Sequence, residues 1–172
     1  IDQPRVIRGA DAIILNSLKE LHLYWDAPVV YQSHRINEYN KKIDYLKKLN
    51  AAYLCECSRR DINKLAITGV DGFIYPGICR EKKINLSDRV SHRVEVKDEL
   101  IITQDCIQGI VKQNLSSDIG DFIIKRSDGL FAYQFAVVVD NYLDGVTNII
   151  RGYDLIQSVP RQVFLHQLLD ID

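Results

Sequence analysis

Two sets of side chains in this sequence are of kinds that do chemistry. The first is Cys55-x-Cys57 followed, after a stretch punctuated by glycine and proline, by Tyr75-x3-Cys79. Thiolates are soft ligands, and two of them one residue apart on a bend, with a third returned by a Gly-Pro-rich loop, supply three of the four donors that a tetrahedral zinc ion takes. Two residues compete to be the fourth. Tyr75 must lose a phenolic proton whose ordinary pKa is about 10, which a bound dication makes easier. His92 is the better ligand by type, but it sits in an alternating apolar pattern where histidines usually pack. Chance clustering of reduced cysteines is the alternative to a metal site, because Cys-x-Cys is less diagnostic than paired Cys-x2-Cys motifs. A structural ion here would contribute on the order of 10 kcal/mol to folding. Cys106 stands apart and reads as a small buried residue.

The second set is Tyr133 and Arg151, placed between short apolar segments that packing can fix. An arginine fork meets a carboxylate through two parallel charge-assisted bonds, and a tyrosine hydroxyl completes the orientation of the same ligand. The competing reading is a salt bridge from Arg151 to Asp140 or Asp154. No spacing among Asp121, Asp128 and Asp140 singles out a general acid and base, so turn or cap roles suit them better. Neither a glycine-rich phosphate loop nor a Ser/His/Asp arrangement is present, and no catalytic residue is assigned within the chain.

These side chains have to be held by regular elements. Ile14, Leu18, Leu21 and Trp25 recur at helical spacing and predict a helix over 8–26, stopped by Asp26-Ala-Pro28. Ile36, Tyr39, Ile43, Leu46 and Leu49 predict a second helix with Ser33 as N-cap. Lys41, Lys42, Lys47 and Lys48 lie mostly off that stripe, as a solvated face or, less simply, as a contact for an RNA backbone. Residues 52–55 predict a strand, and Ser58-Arg-Arg-Asp61 a capping box opening a short helix that ends near Ala66. Val90, His92, Val94 and Val96 alternate with polar residues as in a half-buried strand, with possible partners at 101–102 and 107–111. A buried strand is expected at 122–124. Residues 135–142 fit either a valine-rich strand or a helix, and the helix reading is preferred. A strand at 146–150 and a last helix opening at Ser158-Val-Pro160 complete the pattern.

A chain of 172 residues with 47% hydrophobic and 26% charged residues can bury one substantial core, or one core and a small module. Its net charge of −1 argues against general adhesion to polyanions, so an RNA or membrane partner would have to be met locally. No apolar run approaches a membrane span, and the opening residues lack the order of a secretion signal; a cytoplasmic protein with no membrane partner is expected. Four cysteines, three of them clustered, suit a metal site in a reducing compartment better than a disulfide framework.

The segments Asp121-Phe-Ile-Ile, Asp128-Gly-Leu-Phe-Ala-Tyr133, Ala136-Val-Val-Val-Asp140, Gly145-Val-Thr, Arg151-Gly-x-Asp154-Leu and Pro160-Arg-Gln162 resemble the catalytic domain of the glutamyl-tRNA synthetase family. They are most similar to its shortened branch, the glutamyl-queuosine tRNA(Asp) synthetases. The ordinary branch usually has Pro-Thr-Tyr in place of Phe131-Ala-Tyr133 and Glu-Asp-His in place of Tyr153-Asp-Leu155. The cysteine pattern agrees, as do Ile1-Asp-x-Pro-Arg5 and the helix ending in Trp25-Asp26, and the weakest match is at 81–119.

The resemblance implies an α/β fold, a Rossmann-type class I synthetase catalytic domain with an inserted zinc-bearing α+β subdomain. The expected division is 1–54 for part of the Rossmann-type half, 55–120 for the insertion, and 121–172 for the return to the core with the glutamate pocket. It implies glutamate contacts from Tyr133 and Arg151, and zinc held by Cys55, Cys57, Tyr75 and Cys79. The implied activity is ATP-dependent activation of glutamate, with magnesium on the phosphates, and transfer of the glutamyl group to queuosine in the anticodon of tRNA(Asp) by a monomer. The family's His-Ile-Gly-His-type motif and its first strand are expected before Ile1, and its Lys-rich ATP loop after Asp172, so the chain as it stands is expected to be inactive alone. Rival expectations are the core of an ordinary glutamyl-tRNA synthetase and a non-catalytic zinc-stabilised RNA-binding module.

Overall fold

The computed structural model describes residues 3–65, 67–69, 72–85 and 90–171. Ala66 and Arg89, where a helix end and a strand start were expected, and the first two residues of the Ile1-Asp-x-Pro-Arg5 match lie outside the described residues.

The first helix, α1 (Ala10–Glu20), is shorter than its apolar stripe predicts. It stops because His22 turns left-handed at φ 58, and the Leu23 and His22 amides then return to the Leu18 and Lys19 carbonyls at 2.9 and 3.0 Å. This six-to-one and five-to-two pattern closes a helix well before Pro28 can act. Asn50 at φ 54 ends α2 (Ile36–Lys48) in the same way, and Asp170 at φ 51 ends the last helix. Tyr39, Ile43 and Leu46 of α2 are buried as the spacing predicts. Its N-cap is Arg35 rather than Ser33, because residues 32–34 form a separate 3-10 turn first. On α1 the stripe is uncovered: no residue is buried, and Ile14 and Leu21 are 59% and 68% exposed.

A three-stranded antiparallel sheet holds the centre, with β1 (Ala52–Cys55), β4 (Ser91–Val94) and β7 (Ile123–Lys125) in the order β1-β4-β7. Between β1 and β4 run α3 (Arg59–Leu65) and a minimal hairpin of β2 (Thr68–Gly69) and β3 (Gly72–Phe73). The predicted capping box opens α3: the Ser58 amide donates to Asp61 Oδ2 at 3.0 Å, and the Asp61 amide to Ser58 Oγ at 3.2 Å. Strand β4 was expected to be half-buried, yet all four of its residues are buried. It is the middle strand, so its polar side chains also face packed groups.

The hairpin of β5 (Leu100–Asp105) and β6 (Gly109–Asn114) turns through Cys106, which is exposed rather than buried because it occupies the loop tip. The Asn114 side chain then caps the short α4 (Leu115–Asp118). The ambiguous valine segment forms α5 (Tyr133–Leu143), burying Phe135, Ala136, Val138 and Val139. Residues 146–150 form no strand; they run irregularly with Ile150 99% exposed, since no neighbouring edge offers them hydrogen bonds. A 3-10 turn over Tyr153–Ser158 leads into α6 (Val159–Leu168), which buries Phe164 and Leu165, with Val163 and Leu168 partly buried against the core. One apolar cluster joins α2, the sheet, α5 and α6. Among the described residues no helix is long and apolar enough to cross a membrane.

Candidate functional site

Strand β1 delivers Cys55 to one end of the sheet, and the bend before α3 delivers Cys57. Cys79 returns to them through the loop after β3, and the three sulfurs lie within 4.8 Å of one another. Tyr75 completes the group: its hydroxyl lies 3.4 Å from Cys55 Sγ and 3.5 Å from Cys57 Sγ, and it accepts the Cys79 amide at 3.0 Å. Tyr75 is seated by Gly120, with which it forms a parallel bridge. Gly120 has φ 70, and a Cβ there would fall 2.9 Å from the Tyr75 backbone, so only glycine allows this approach. The donors converge as a metal ion needs. Thiolates bound tetrahedrally at about 2.3 Å stand about 3.8 Å apart, and Cys57 and Cys79 Sγ are 3.5 Å apart.

The cluster is electrostatically prepared on one side. Arg93 lies over the Tyr75 ring at 3.9 Å and donates from Nε to Cys55 Sγ at 3.3 Å. Burial pushes the Cys55 thiol up, but the bonds from Tyr75 and Arg93 outweigh it and the net shift is downward. Burial drives the Cys57 thiol the other way, up to about 11, with the neighbouring Cys79 adding to the rise. A cation among the sulfurs would favour the thiolate forms. His92 is not at the cluster. Successive strand residues face opposite sides, and with Arg93 on the cysteine side His92 faces Lys47 and Lys125. Its Nδ1 is buried without a partner among the described residues, and burial together with those lysines lowers its pKa to about 4.

Tyr133 opens α5 and is 46% exposed, at the mouth of a cavity of about 580 Å³ also lined by Arg5, Gln32, Arg126 and Phe131. Arg151 is half-buried, and its Nη1 donates to Gln162 Oε1 at 2.6 Å. The Gln162 amide donates in turn to Gln134 Oε1 at 3.1 Å, and Gln134 to Ser158 Oγ at 2.7 Å. Two amides thus connect Arg151 to the residue next to Tyr133. Neither acid considered as a salt-bridge partner for Arg151 pairs with it among the described residues. Gln162 had no contact assigned from sequence; at 4% exposure it is a buried link of this chain. A polar residue at an inward position of α6 is the signal that finds it.

Two of the three acids given turn or cap roles are anchors, Asp140 partly buried and Asp121 buried. Asp140 accepts from Gln32 at 2.7 Å, Arg35 at 3.1 Å and Tyr39 at 2.7 Å, fastening the start of α2 to α5. Asp121 is 1% exposed and accepts from Arg80 at 2.7 and 2.8 Å, from the Val96 amide at 2.9 Å, and from Tyr53. It ties the cysteine loop to the sheet. Only Asp128 keeps a turn role, accepting from the Leu130 amide at 3.2 Å. Arg35, the N-cap of α2, and Tyr39 in its first turn lie four apart and so reach Asp140 together, whereas nothing local marks Arg80 as the partner of Asp121.

Over residues 1–172 the chain matches the family model for "tRNA synthetases class I (E and Q), catalytic domain". It is 42% identical over 174 residues to the glutamyl-Q tRNA(Asp) synthetase of Neisseria meningitidis serogroup B, covering 99% of this chain and 59% of that one. The enzyme of that name from Thiobacillus denitrificans is also 42% identical, over 171 residues, covering 99% of this chain and 57% of its own. The chain thus spans a little under three fifths of the length of these curated relatives. Among solved structures, a glutamate tRNA ligase from Elizabethkingia meningosepticum, in complex with its amino acid, superposes with a TM-score of 0.81 at 20% identity, covering 99% of this chain and 39% of that one.

Proposed function

This chain belongs to the class I tRNA synthetases of the E and Q type, by its match to their catalytic domain, and from that membership we propose that it carries the glutamate-binding half of a glutamyl-queuosine tRNA(Asp) synthetase. The observation that supports the reading is the amide chain from Arg151 through Gln162 to Gln134, which links the arginine to the first turn of α5, the turn that Tyr133 opens. A guanidinium has five donors, so the bond to Gln162 orients Arg151 while leaving the fork able to meet a carboxylate. Arg5 and Arg126 beside Tyr133 give that cavity the positive character an amino acid with two carboxylates would seek. In this reading Tyr133 and Arg151 bind glutamate, residues 55–120 carry an inserted metal-bearing module, and the flanking residues belong to the nucleotide-binding domain. Size alone separates glutamate from a substrate one methylene shorter by only about 1–3 kcal/mol, and a fixed arginine that meets the side-chain carboxylate would discriminate against glutamine, whereas one that meets the α-carboxylate would not.

Zinc is the metal that suits three thiolates and a phenolate, and Cys55, Cys57, Tyr75 and Cys79 would hold it. Its contribution there is structural, fixing a loop that has little core of its own. ATP, with magnesium on its phosphates, is the second substrate, and for that step the protein supplies mainly positioning and charge. The glutamyl-Q tRNA(Asp) synthetases to which the chain is 42% identical favour that branch over the ordinary glutamyl-tRNA synthetases.

Glutamate-dependent ATP–pyrophosphate exchange tests the enzyme reading. The full-length protein should exchange with glutamate and not with glutamine or aspartate. Absence of exchange would reduce the chain to a metal-stabilised RNA-binding module.

A further inference from the structure

A second cavity, of about 420 Å³, lies beside the cysteine cluster and shares Arg126 and Ala132 with the Tyr133 cavity. It is strongly cationic, lined by Arg59, Arg93 and Arg126 against one acid, Asp128. Arg93 is a fixed charge, pinned by Tyr75, by Cys55 and by a 2.6 Å bond from its Nη1 to the Asp121 carbonyl. Arg126 pairs with Asp128 at 2.5 Å, but both side chains are about half exposed, at 53% and 46%, and such pairs contribute little. An incoming anion can replace that carboxylate. Ile62, Ile123 and Ala132, each partly buried, give the wall an apolar portion, and Ser58, Ser91, Ser127, Cys55 and Cys57 complete it.

A free phosphate would use the arginines and leave the apolar wall idle, and an apolar ligand would strand the cations. A nucleotide uses both, its phosphate meeting arginine forks and its base lying flat on aliphatic side chains. We propose that this cavity holds one nucleotide of the RNA substrate, its phosphate at Arg59 and Arg126 and its base on Ile62, Ile123 and Ala132. Because the two cavities adjoin through Arg126 and Ala132, that nucleotide lies next to the residue that receives the glutamyl group. The identity of the RNA, though not the presence of the subsite, rests on the function proposed above.

The test is fluorescence anisotropy of the full-length protein with labelled tRNA(Asp) bearing queuosine and, in parallel, labelled tRNA(Glu). Arg59→Gln, Arg126→Gln and the double variant are compared with wild type across a salt series, with circular dichroism to confirm folding. Each single variant should bind tRNA(Asp) about tenfold more weakly, the value of a charge-assisted contact. In the double variant the slope of log Kd against log salt should fall by roughly one. A double variant that keeps wild-type affinity and slope overturns the proposal. Equal binding of both tRNAs with the same losses in the variants supports the subsite and overturns the tRNA(Asp) assignment. Wild-type protein that binds neither RNA overturns both.

Discussion

Arg151 is held by a neutral amide where an acid was the obvious alternative. Gln162 accepts from Arg151 at 2.6 Å while its own amide donates to Gln134, so a neutral partner orients the guanidinium, and Asp105 is the acid close enough to feel its charge. Arg151→Ala should therefore lower glutamate activation by about 100-fold or more, the scale of a lost charged contact in a buried site, while leaving the urea midpoint near wild type; activity within a few-fold of wild type would remove Arg151 from the pocket. Gln162→Leu should leave the charge and loosen its aim, raising KM for glutamate more than it lowers kcat in exchange assays. Tyr133 and Arg151 stand out in the sequence by residue type and neighbouring motif, and the Arg151→Ala assay is what tests their role. Gln162 is marked in the sequence only as a polar residue at an inward position of α6, and its partners Arg151 and Gln134 are not written locally.

His92 carries a pH dependence at the same scale. Its folded pKa of about 4 lies below its ordinary value of 6.5, so the folded state prefers the neutral ring and the unfolded state takes up the proton first. The stability this group preserves is fully present above pH 6.5 and is lost as pH falls towards 4, by about 3 kcal/mol. Urea denaturation at pH 7 and pH 4.5 should show this loss in wild type and a smaller one in His92→Phe; equal losses would mean that His92 titrates normally.

Among the elements, periodicity found α2, β1, α3, β7 and α6, each with a stripe or cap written locally. The boundaries of α1 and the fate of residues 146–150 depend on other things. His22 ends α1 by adopting a left-handed conformation, which histidine visits more often than most residues but which its type alone does not dictate, and an apolar run becomes a strand only if another strand's edge is there to pair with it. Burial of β4 on both faces likewise follows from its middle place in the sheet, which its alternating pattern does not state. Gly120 shows how such a placement serves the cysteine cluster. Gly120→Ala should destabilise the protein by about 2 kcal/mol, through the left-handed backbone and the clash with Tyr75, and should hasten metal loss to a chelator. Unchanged metal retention would separate Gly120 from the cluster.

At the scale of the whole molecule, the core joins α2, the sheet, α5 and α6, while α1 buries none of its residues and is tied back by the Tyr31 hydroxyl, which donates to Asp11 at 2.9 Å. The cysteine cluster is a second, smaller centre, linked to the first through Arg80, Arg93 and Asp121. If that centre holds zinc, metal analysis of the purified protein should find about one ion per chain, and removing it should lower the melting temperature markedly; a metal-free protein of unchanged stability would make the cluster a group of ordinary thiols.

The proposal that Tyr133 and Arg151 serve glutamyl transfer to queuosine is tested most directly by incubating the full-length protein with ATP, labelled glutamate and tRNA. Label should appear on tRNA(Asp) that carries queuosine, and neither on tRNA(Asp) lacking it nor on tRNA(Glu). Label on tRNA(Glu), or on tRNA(Asp) regardless of queuosine, would contradict it.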